Sequence, residues 1–535
     1  FVSETDTEVI LHAFRDWGTE CVHRFIGMFA FVIYDRSDHK LYAYRDRAGV
    51  KPFYFFHHDG LFLFGSELKS LMAHPSFVKE IDNSAVRSYF DFGYIPTPYS
   101  IFKNTHKLEP GHFLILDTGK NHYKIEEYWN AVEFYKKPKL NLSYEEAKSH
   151  LHSLLISAFN YRMVADVPVG VFLSGGYDST SVAALLQSNF RDRIKTFTIG
   201  FEEGNNEAPF ARETAAILGT DHYEYVCTTK EAQDIIPSLP YYYDEPFADS
   251  SAIPTTLVSR FARESVTVAL SADAGDELFA GYQSYPDLQK KLDILKVIPG
   301  TFKKPLKKVF LFSSARIPEY NPSLKHKLNG ISRALNPDDY KQASVLFKMA
   351  NSLPEFYMEN LFINKPVEFG TKFDLNPKGF QNEIEIAMAV DYQSYLQNDI
   401  LTKVDRATMS VSLEGRDPMV DHRLLEFSAR LPLEFKMNGI STKRILKDIL
   451  HEYIPKEKMD RPKTGFSLPI YSWLRGDLSF FLDEYLNEYA LSRSQLFNVP
   501  FILNLVQLFR QDRLHYSPLI WKLLMFQMWY KEWME

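Results

Sequence analysis

Two cysteines, Cys21 and Cys227, are all that the 535 residues contain. They cannot staple a chain of this size or build a four-thiolate zinc site. A disulfide framework is excluded and a reducing, cytoplasmic compartment is expected. No apolar run approaches the ~18 residues of a membrane span. The longest, Phe25 to Tyr34, carries Gly27 and reads as a buried strand. The opening residues do not read as a signal peptide. Charge of one sign is scarce as well: 61 Lys and Arg against 68 Asp and Glu leave a net −7. So mild a balance does not suggest a nucleic-acid clamp or a polybasic membrane binder. Internal repeats and low-complexity tracts are missing. What is abundant is aromatic: 43 Phe and 31 Tyr, so ring packing should dominate the cores. The length suits two to four domains and two large cores.

The first 130 residues read as hairpins. Met28–Tyr34, Lys40–Tyr44, Phe53–Phe56 and Leu61–Phe64 are short aromatic or β-branched runs separated by Asp and Gly turns. Asp6–Trp17 reads as a helix with Val9, Ile10, Ala13 and Phe14 on one stripe. Lys136–Asn141 is a plausible linker, and Ser143-x-x-Glu146 a capping box that starts a helix. The period then changes. Val169–Leu173, Ile194–Phe201 and Val266–Leu270 are apolar runs that alternate with helical segments at 181–186 and 208–218, which implies a parallel sheet. The last 240 residues read as mostly helical.

Leu173-Ser-Gly-Gly-Tyr-Asp-Ser-Thr180 lies between a buried strand and a helix. Gly175 and Gly176 allow a tight turn, Ser174 and Ser179 supply hydroxyls, and N–H groups at the helix start favour an anion. An acid beside a phosphate cradle, Asp178, suggests a Mg²⁺ ligand. The Walker A spacing and its lysine are missing. The pattern S-G-G-x-D-S is instead that of enzymes that split ATP between the α and β phosphates; an ordinary Gly-rich βα turn is the alternative. Two acidic loops accompany it: Tyr243-Asp-Glu-Pro-Phe-Ala-Asp-Ser-Ser-Ala-Ile-Pro254, and Ser271-Ala-Asp-Ala-Gly-Asp-Glu277 after the third strand. Ligands sit outside the C-terminal ends of such strands, so Asp178 and Asp276 are expected to share magnesium on a nucleotide. Helix capping is the alternative for Asp273, Asp276 and Glu277. Downstream, Lys463 on the Pro462–Gly465 loop is a candidate cation for charge building on phosphate, against a solvated surface lysine.

With these motifs in order, from Thr5-Asp-Thr-Glu through Arg45-Asp-Arg-Ala-Gly-Val-Lys-Pro52 to the Lys463 loop, the chain resembles the glutamine-hydrolysing asparagine synthetases, class II glutamine amidotransferases. The resemblance implies an α+β N-terminal glutaminase of the Ntn type with layered antiparallel sheets over 1–135. An α/β synthetase would follow over 143–535, with a parallel sheet, a pyrophosphate loop (HUP-like) and a helical C-terminal part. It implies ATP and Mg²⁺. The aspartate carboxylate attacks the α-phosphorus, pyrophosphate leaves, and ammonia from glutamine attacks the acyl-adenylate. Ser174, Gly175, Gly176, Asp178, Ser179 and Ser271 then take the pyrophosphate-loop and ATP roles, and backbone at Ile199 reads adenine. Asp178 and Asp276 hold the metal, Asp273 takes the proton from ammonia, Lys463 serves the transition state, and Asp6 holds the glutamine amine. Substrates are aspartate, glutamine or ammonia, and ATP. A homodimer joined through the glutaminase half is expected, and neither nucleic acid nor membrane is.

Three departures carry expectations. The family nucleophile is an N-terminal Cys, whereas this sequence opens on Phe1 and Cys21 is internal. Cys21 is expected to be a structural thiol, and the chain a fragment lacking roughly half of the glutaminase, unable to hydrolyse glutamine. Ala272 and Ala274 stand where the family has glycine, at a cost of about 1–2 kcal/mol wherever φ is positive. Asp417 follows Arg416 where the family usually has an apolar residue, and Glu414–Arg416 reads as a structural ion pair, with substrate positioning as the alternative. Amidation of another carboxylate, such as a sugar acid in polysaccharide assembly, and a degenerate scaffold remain the alternatives. A tRNA-modifying enzyme is disfavoured by the acidic charge.

Overall fold

A computed structural model describes residues 1–203, 206–316, 322–335, 352–372, 375–459, 468–514 and 517–535. Seven strands form in the N-terminal region: β1 (Ala30–Asp35), β2 (Lys40–Arg45), β3 (Tyr54–His58), β4 (Leu61–Gly65), β5 (Thr105–Lys107), β6 (His112–Asp117) and β7 (His122–Glu127). They make two antiparallel sheets, ordered β1-β2-β6-β7 and β4-β3-β5. Their facing sides interdigitate: Ala43, Leu114 and Leu116 of one sheet meet Phe55 of the other, with Phe53 and Leu108 between. This is the aromatic core the composition predicts. The Phe25–Tyr34 run is not a buried strand. Its ordered part, β1, is an edge strand in which only Ile33 is buried.

The helix Asp6–Trp17 has the predicted bounds, but only Ala13 is buried and Val9 is 46% exposed, so its covered stripe is narrower than the spacing suggests. Cys21 follows in the short 3₁₀ segment Gly18–Arg24, fully buried. Burial pushes its thiol up to about 11, an inert group as expected. The expected linker is partly helical (Ala131–Lys136), and the rest is tied down. Leu140 N–H donates to Arg430 O at 2.9 Å and Lys139 Nζ to Ala429 O at 2.7 Å. The capping box forms: Glu146 N–H donates to Ser143 Oγ and Ser143 N–H to Glu146 Oε2.

The second sheet system is parallel, built from β8 (Val169–Phe172), β9 (Lys195–Phe201), β10 (Asp221–Cys227), β11 (Val268–Leu270) and β12 (Glu414–Arg416), in the order β10-β9-β8-β11-β12. Three of the five are the predicted strands. The edge strands β10 and β12 are additions: β10 leaves Asp221, Tyr225 and Val226 exposed with no alternating pattern, and β12 is the tripeptide Glu-Gly-Arg, a strand only because it pairs with β11. The chain winds from β8 outward to β9 and β10, then returns to the other side for β11 and β12. The winding reverses between β8 and β11, which is where open α/β sheets take ligands. Most of the remaining described chain is helical, ending in Pro518–Met534, a helix buried on nearly all sides.

Candidate active site

Three adjacent strands deliver their acids at one edge. Asp178 follows β8, Asp273 and Asp276 follow β11, and Asp417 follows β12. After β8 the chain turns through Gly175, whose φ is +72°, into the helix Tyr177–Asn189. The loop holds its own shape: Ser174 and Ser179 hydroxyls lie 2.9 Å apart, Ser174 N–H donates to Ser179 Oγ at 3.1 Å, and Gly176 N–H to Ser174 Oγ at 3.2 Å. Behind it, Leu173 N–H donates to Phe197 O, which fixes the loop against β9. Ile199, on β9, buries its side chain in the core, so only its backbone is available to a ligand.

Asp178 and Asp276 converge on a cation that no sequence motif marked. Lys443 Nζ donates to Asp178 Oδ2 and pairs with Asp276 Oδ1 at 2.7 Å. Lys443 is 5% exposed, and its backbone, with φ +53°, is fixed by a hydrogen bond from its N–H to Phe279 O. Burial pulls its pKa down, but the two carboxylates outweigh burial and hold the ammonium firmly charged. The approach is close enough to demand glycine. A Cβ at Gly275 would collide with the Asp178 carboxylate, and one at Gly281 with Asp276 and Lys443. Two carboxylates held face to face around one cation, beside a loop of N–H and hydroxyl donors, fit a magnesium-bound polyphosphate.

Ala272 and Ala274 divide. Ala274 sits at φ +79° and starts the short helix Gly275–Leu278, so it occupies a left-handed position; Ala272 has an ordinary φ. Glu277 is not a solvated cap. It is buried, accepts from Tyr282 Oη at 2.7 Å, and burial with the neighbouring Asp276 charge raises it to about 8.

Ser271 faces Asp417, donating its hydroxyl to Asp417 Oδ1, while its N–H donates to Arg416 O at 2.9 Å. Asp273 shares Ser271 and Asp417 as hydrogen-bond partners. Burial and the Asp273 charge raise Asp417 to about 7, against the pull of Ser271 and Lys51, and burial raises Asp273 as well. Lys51, from the Arg45–Pro52 motif, reaches across to Asp405 at 3.1 Å. Arg416 pairs with Glu414 at 2.7 Å and caps Arg162 O and Val164 O, the structural ion pair expected.

The acids of the Tyr243–Pro254 loop split between two sets of partners. Asp249 and Ser251 bind Lys403 at 2.9 and 2.8 Å. Burial raises Asp249, but Lys403 overrides it and the carboxyl lies at about 2. Asp244 and Glu245 point instead into the N-terminal sheets. Glu245 Oε2 meets Lys107 Nζ at 2.6 Å and Tyr54 Oη at 3.3 Å, and its Oε1 accepts from Ile101 N–H. Asp244 faces Arg406 at 3.7 Å and Lys69 N–H at 3.2 Å, while Arg406 also holds Glu67 at 2.9 Å. Burial raises Asp244 to about 7 even so.

Asp6 is exposed in the first turn of its helix. Lys463 lies outside the described residues. Lys443, Lys403 and the Ser271–Asp417 contact escaped the sequence; the Thr-Lys-Arg run at 442–444 carries no spacing that marks a ligand.

Family comparison agrees with this layout. The family model described as asparagine synthase matches residues 150–531, and that described as glutamine amidotransferase domain matches 1–129. The chain is 31% identical over 539 aligned residues to asparagine synthetase [glutamine-hydrolyzing] 1 of Bacillus subtilis, covering 99% of this chain and 81% of that protein. It is 36% identical to a putative asparagine synthetase [glutamine-hydrolyzing] 2 of Methanocaldococcus jannaschii, over 76% of each chain. It is 25% identical to amidase chyE of Penicillium rubens over 89% of this chain and 75% of that one.

Proposed function

This chain belongs to the glutamine-hydrolysing asparagine synthetase family, and we propose that it converts aspartate to asparagine at the expense of ATP, through a β-aspartyl-AMP intermediate. The observation that carries the proposal is the pairing of Asp178 and Asp276 across one cation, beside the Ser174–Ser179 loop, where the winding of the parallel sheet reverses. In this reading residues 1–135 are the glutaminase part, of the Ntn type, and 143–535 the synthetase part, HUP-like.

The steps follow from the residues present. N–H groups and hydroxyls from Ser174 to Ser179 hold the β and γ phosphates, and the Ile199 backbone reads adenine. Asp178 and Asp276 would hold magnesium, which would supply charge neutralisation on the phosphate oxygens. Lys443, paired with both carboxylates, is assigned to neutralise charge beside the phosphates. An aspartate carboxylate oxygen attacks the α-phosphorus and the bond to pyrophosphate breaks, with Lys463 meeting the charge that develops. Ammonia then attacks the acyl carbon. Asp273 takes the proton from the nitrogen, the bond to AMP breaks, and asparagine remains. Asp417 positions Asp273, directly and through Ser271. Asp6 is assigned to the glutamine amine.

Pyrophosphate release from Mg·ATP and ammonium, with and without aspartate, tests the proposal. Aspartate-dependent release with asparagine formed is expected. ATP cleavage that ignores aspartate would overturn the assignment of the acceptor.

A further inference from the structure

The mild net charge of the chain conceals a local reversal. Between residues 288 and 316 there are eight Lys and Arg and a single acid, Asp293: a net +7 within a chain of net −7. These residues form one end of the helix Ser284–Val297 and the whole of the helix Gly300–Arg316, joined at Ile298-Pro299-Gly300.

The second helix is apolar on two faces. One is used: Leu306 and Phe310 pack on the core, and Ser332 Oγ of the helix Pro322–Ala334 donates to Lys307 O. The other faces outward. Phe302, Val309 and Phe312 are 60%, 57% and 59% exposed, and with Pro305 they recur at i, i+3, i+7 and i+10, one continuous stripe. Val297, at the end of the preceding helix, is 82% exposed and Ile294 is 64% exposed. Lys304 and Lys308 flank the stripe, and Arg316 lies over the Phe312 ring at 3.8 Å. Among the described residues no ion pair takes up Lys303, Lys304, Lys307 or Lys308. A soluble surface has no use for three large exposed apolar side chains in register. Lysines bracketing an apolar stripe are the pattern of a helix that lies in the headgroup layer of an anionic bilayer, rings down and ammonium groups on phosphate.

We propose that the helix Gly300–Arg316 docks the protein reversibly onto an anionic lipid surface. RNA would satisfy the lysines and leave the stripe in water, and a second copy of this acidic chain would bring its own basic patch against the first. The docking face does not depend on the assigned chemistry, and it crosses no bilayer: no described helix is long and apolar enough to do so.

Vesicle flotation with the full chain tests it, using phosphatidylcholine alone and phosphatidylcholine with about a third phosphatidylglycerol. Retention on the anionic vesicles only is expected, lost at high salt. Lys304→Glu/Lys308→Glu and, separately, Phe302→Ser/Phe312→Ser should each weaken it at least about tenfold, with circular dichroism and pyrophosphate release unchanged. No retention on anionic vesicles overturns the proposal. So does retention that survives the Phe302/Phe312 change, RNA binding without vesicle binding, or a dimer that hides the stripe.

Discussion

Two clusters of acids, each announced by a motif, end in opposite situations. At Asp178 and Asp276 the carboxylates are 21% and 14% exposed and share one lysine. At Asp244 and Glu245 they are 0% and 8% exposed, and every described partner belongs to the fold: Arg406, Lys69, Lys107, Tyr54 and the Ile101 N–H. The first cluster keeps part of each carboxylate open to solvent, where a soluble cation can reach it. The second cannot exchange anything, because each charge there is buried and is held by the others. Acid density does not distinguish a ligand site from a structural clamp; the exposure of the carboxylates and the groups that face them do.

The sharpest test is a pair of substitutions expected to fail in different ways. Asp178→Asn should abolish pyrophosphate release, at least about a hundredfold, while the chain keeps its circular dichroism and melts within a few degrees of the parent. Arg406→Met should do the reverse. It strands Asp244 and Glu67, and breaking a buried pair costs about 3–5 kcal/mol, read as a lower denaturant midpoint with release per folded molecule retained. If Asp178→Asn unfolds the chain and Arg406→Met silences it, the two clusters have been assigned the wrong way round.

How much of this was legible in the sequence follows the same division. The Ser174–Ser179 loop was readable because all its parts are contiguous, and Ala208–Leu218 because Gly219 ends it. Lys443 was not readable, as it lies 265 residues from Asp178 and nothing local marks it. The partners of Asp244 and Glu245 were not readable either, because a Pro-bounded acidic loop looks the same whether Arg406 or a metal faces it. Strand β12 has no propensity of its own and exists by pairing with β11.

A smaller effect probes the edge of the first cluster. Asp417 is raised to about 7 in the folded chain and returns to about 4 when unfolded. Between those values the folded state binds the extra proton, so stability falls as pH rises from about 4 to 7 and is level above. Asp417→Asn removes that slope and still donates to Asp273. It should therefore gain stability relative to the parent with rising pH, on the order of 4 kcal/mol at pH 8 and little at pH 4. Melting curves at both pH values check this. An equal change at both would mean that Asp417 is fully ionised beside Asp273.

The smallest effect concerns Ala274, an alanine held at a positive φ that favours glycine. At φ +79° the methyl group crowds the backbone, a cost of about 1–2 kcal/mol. The position is buried and leads directly into Asp276, so the strain sits in the residue pair that sets where this carboxylate points. Ala274→Gly relieves the crowding and loosens the unfolded chain, which returns about 0.4–1 kcal/mol. A net gain of roughly 0.5–1 kcal/mol is expected, read from the denaturant midpoint at constant slope. Ala272→Gly, at an ordinary φ, lacks the first contribution and should lose stability by the second. If the two substitutions shift the midpoint in the same direction, the strain at Ala274 is not what separates them, and the left-handed turn ahead of Asp276 is held without cost by the packing around it.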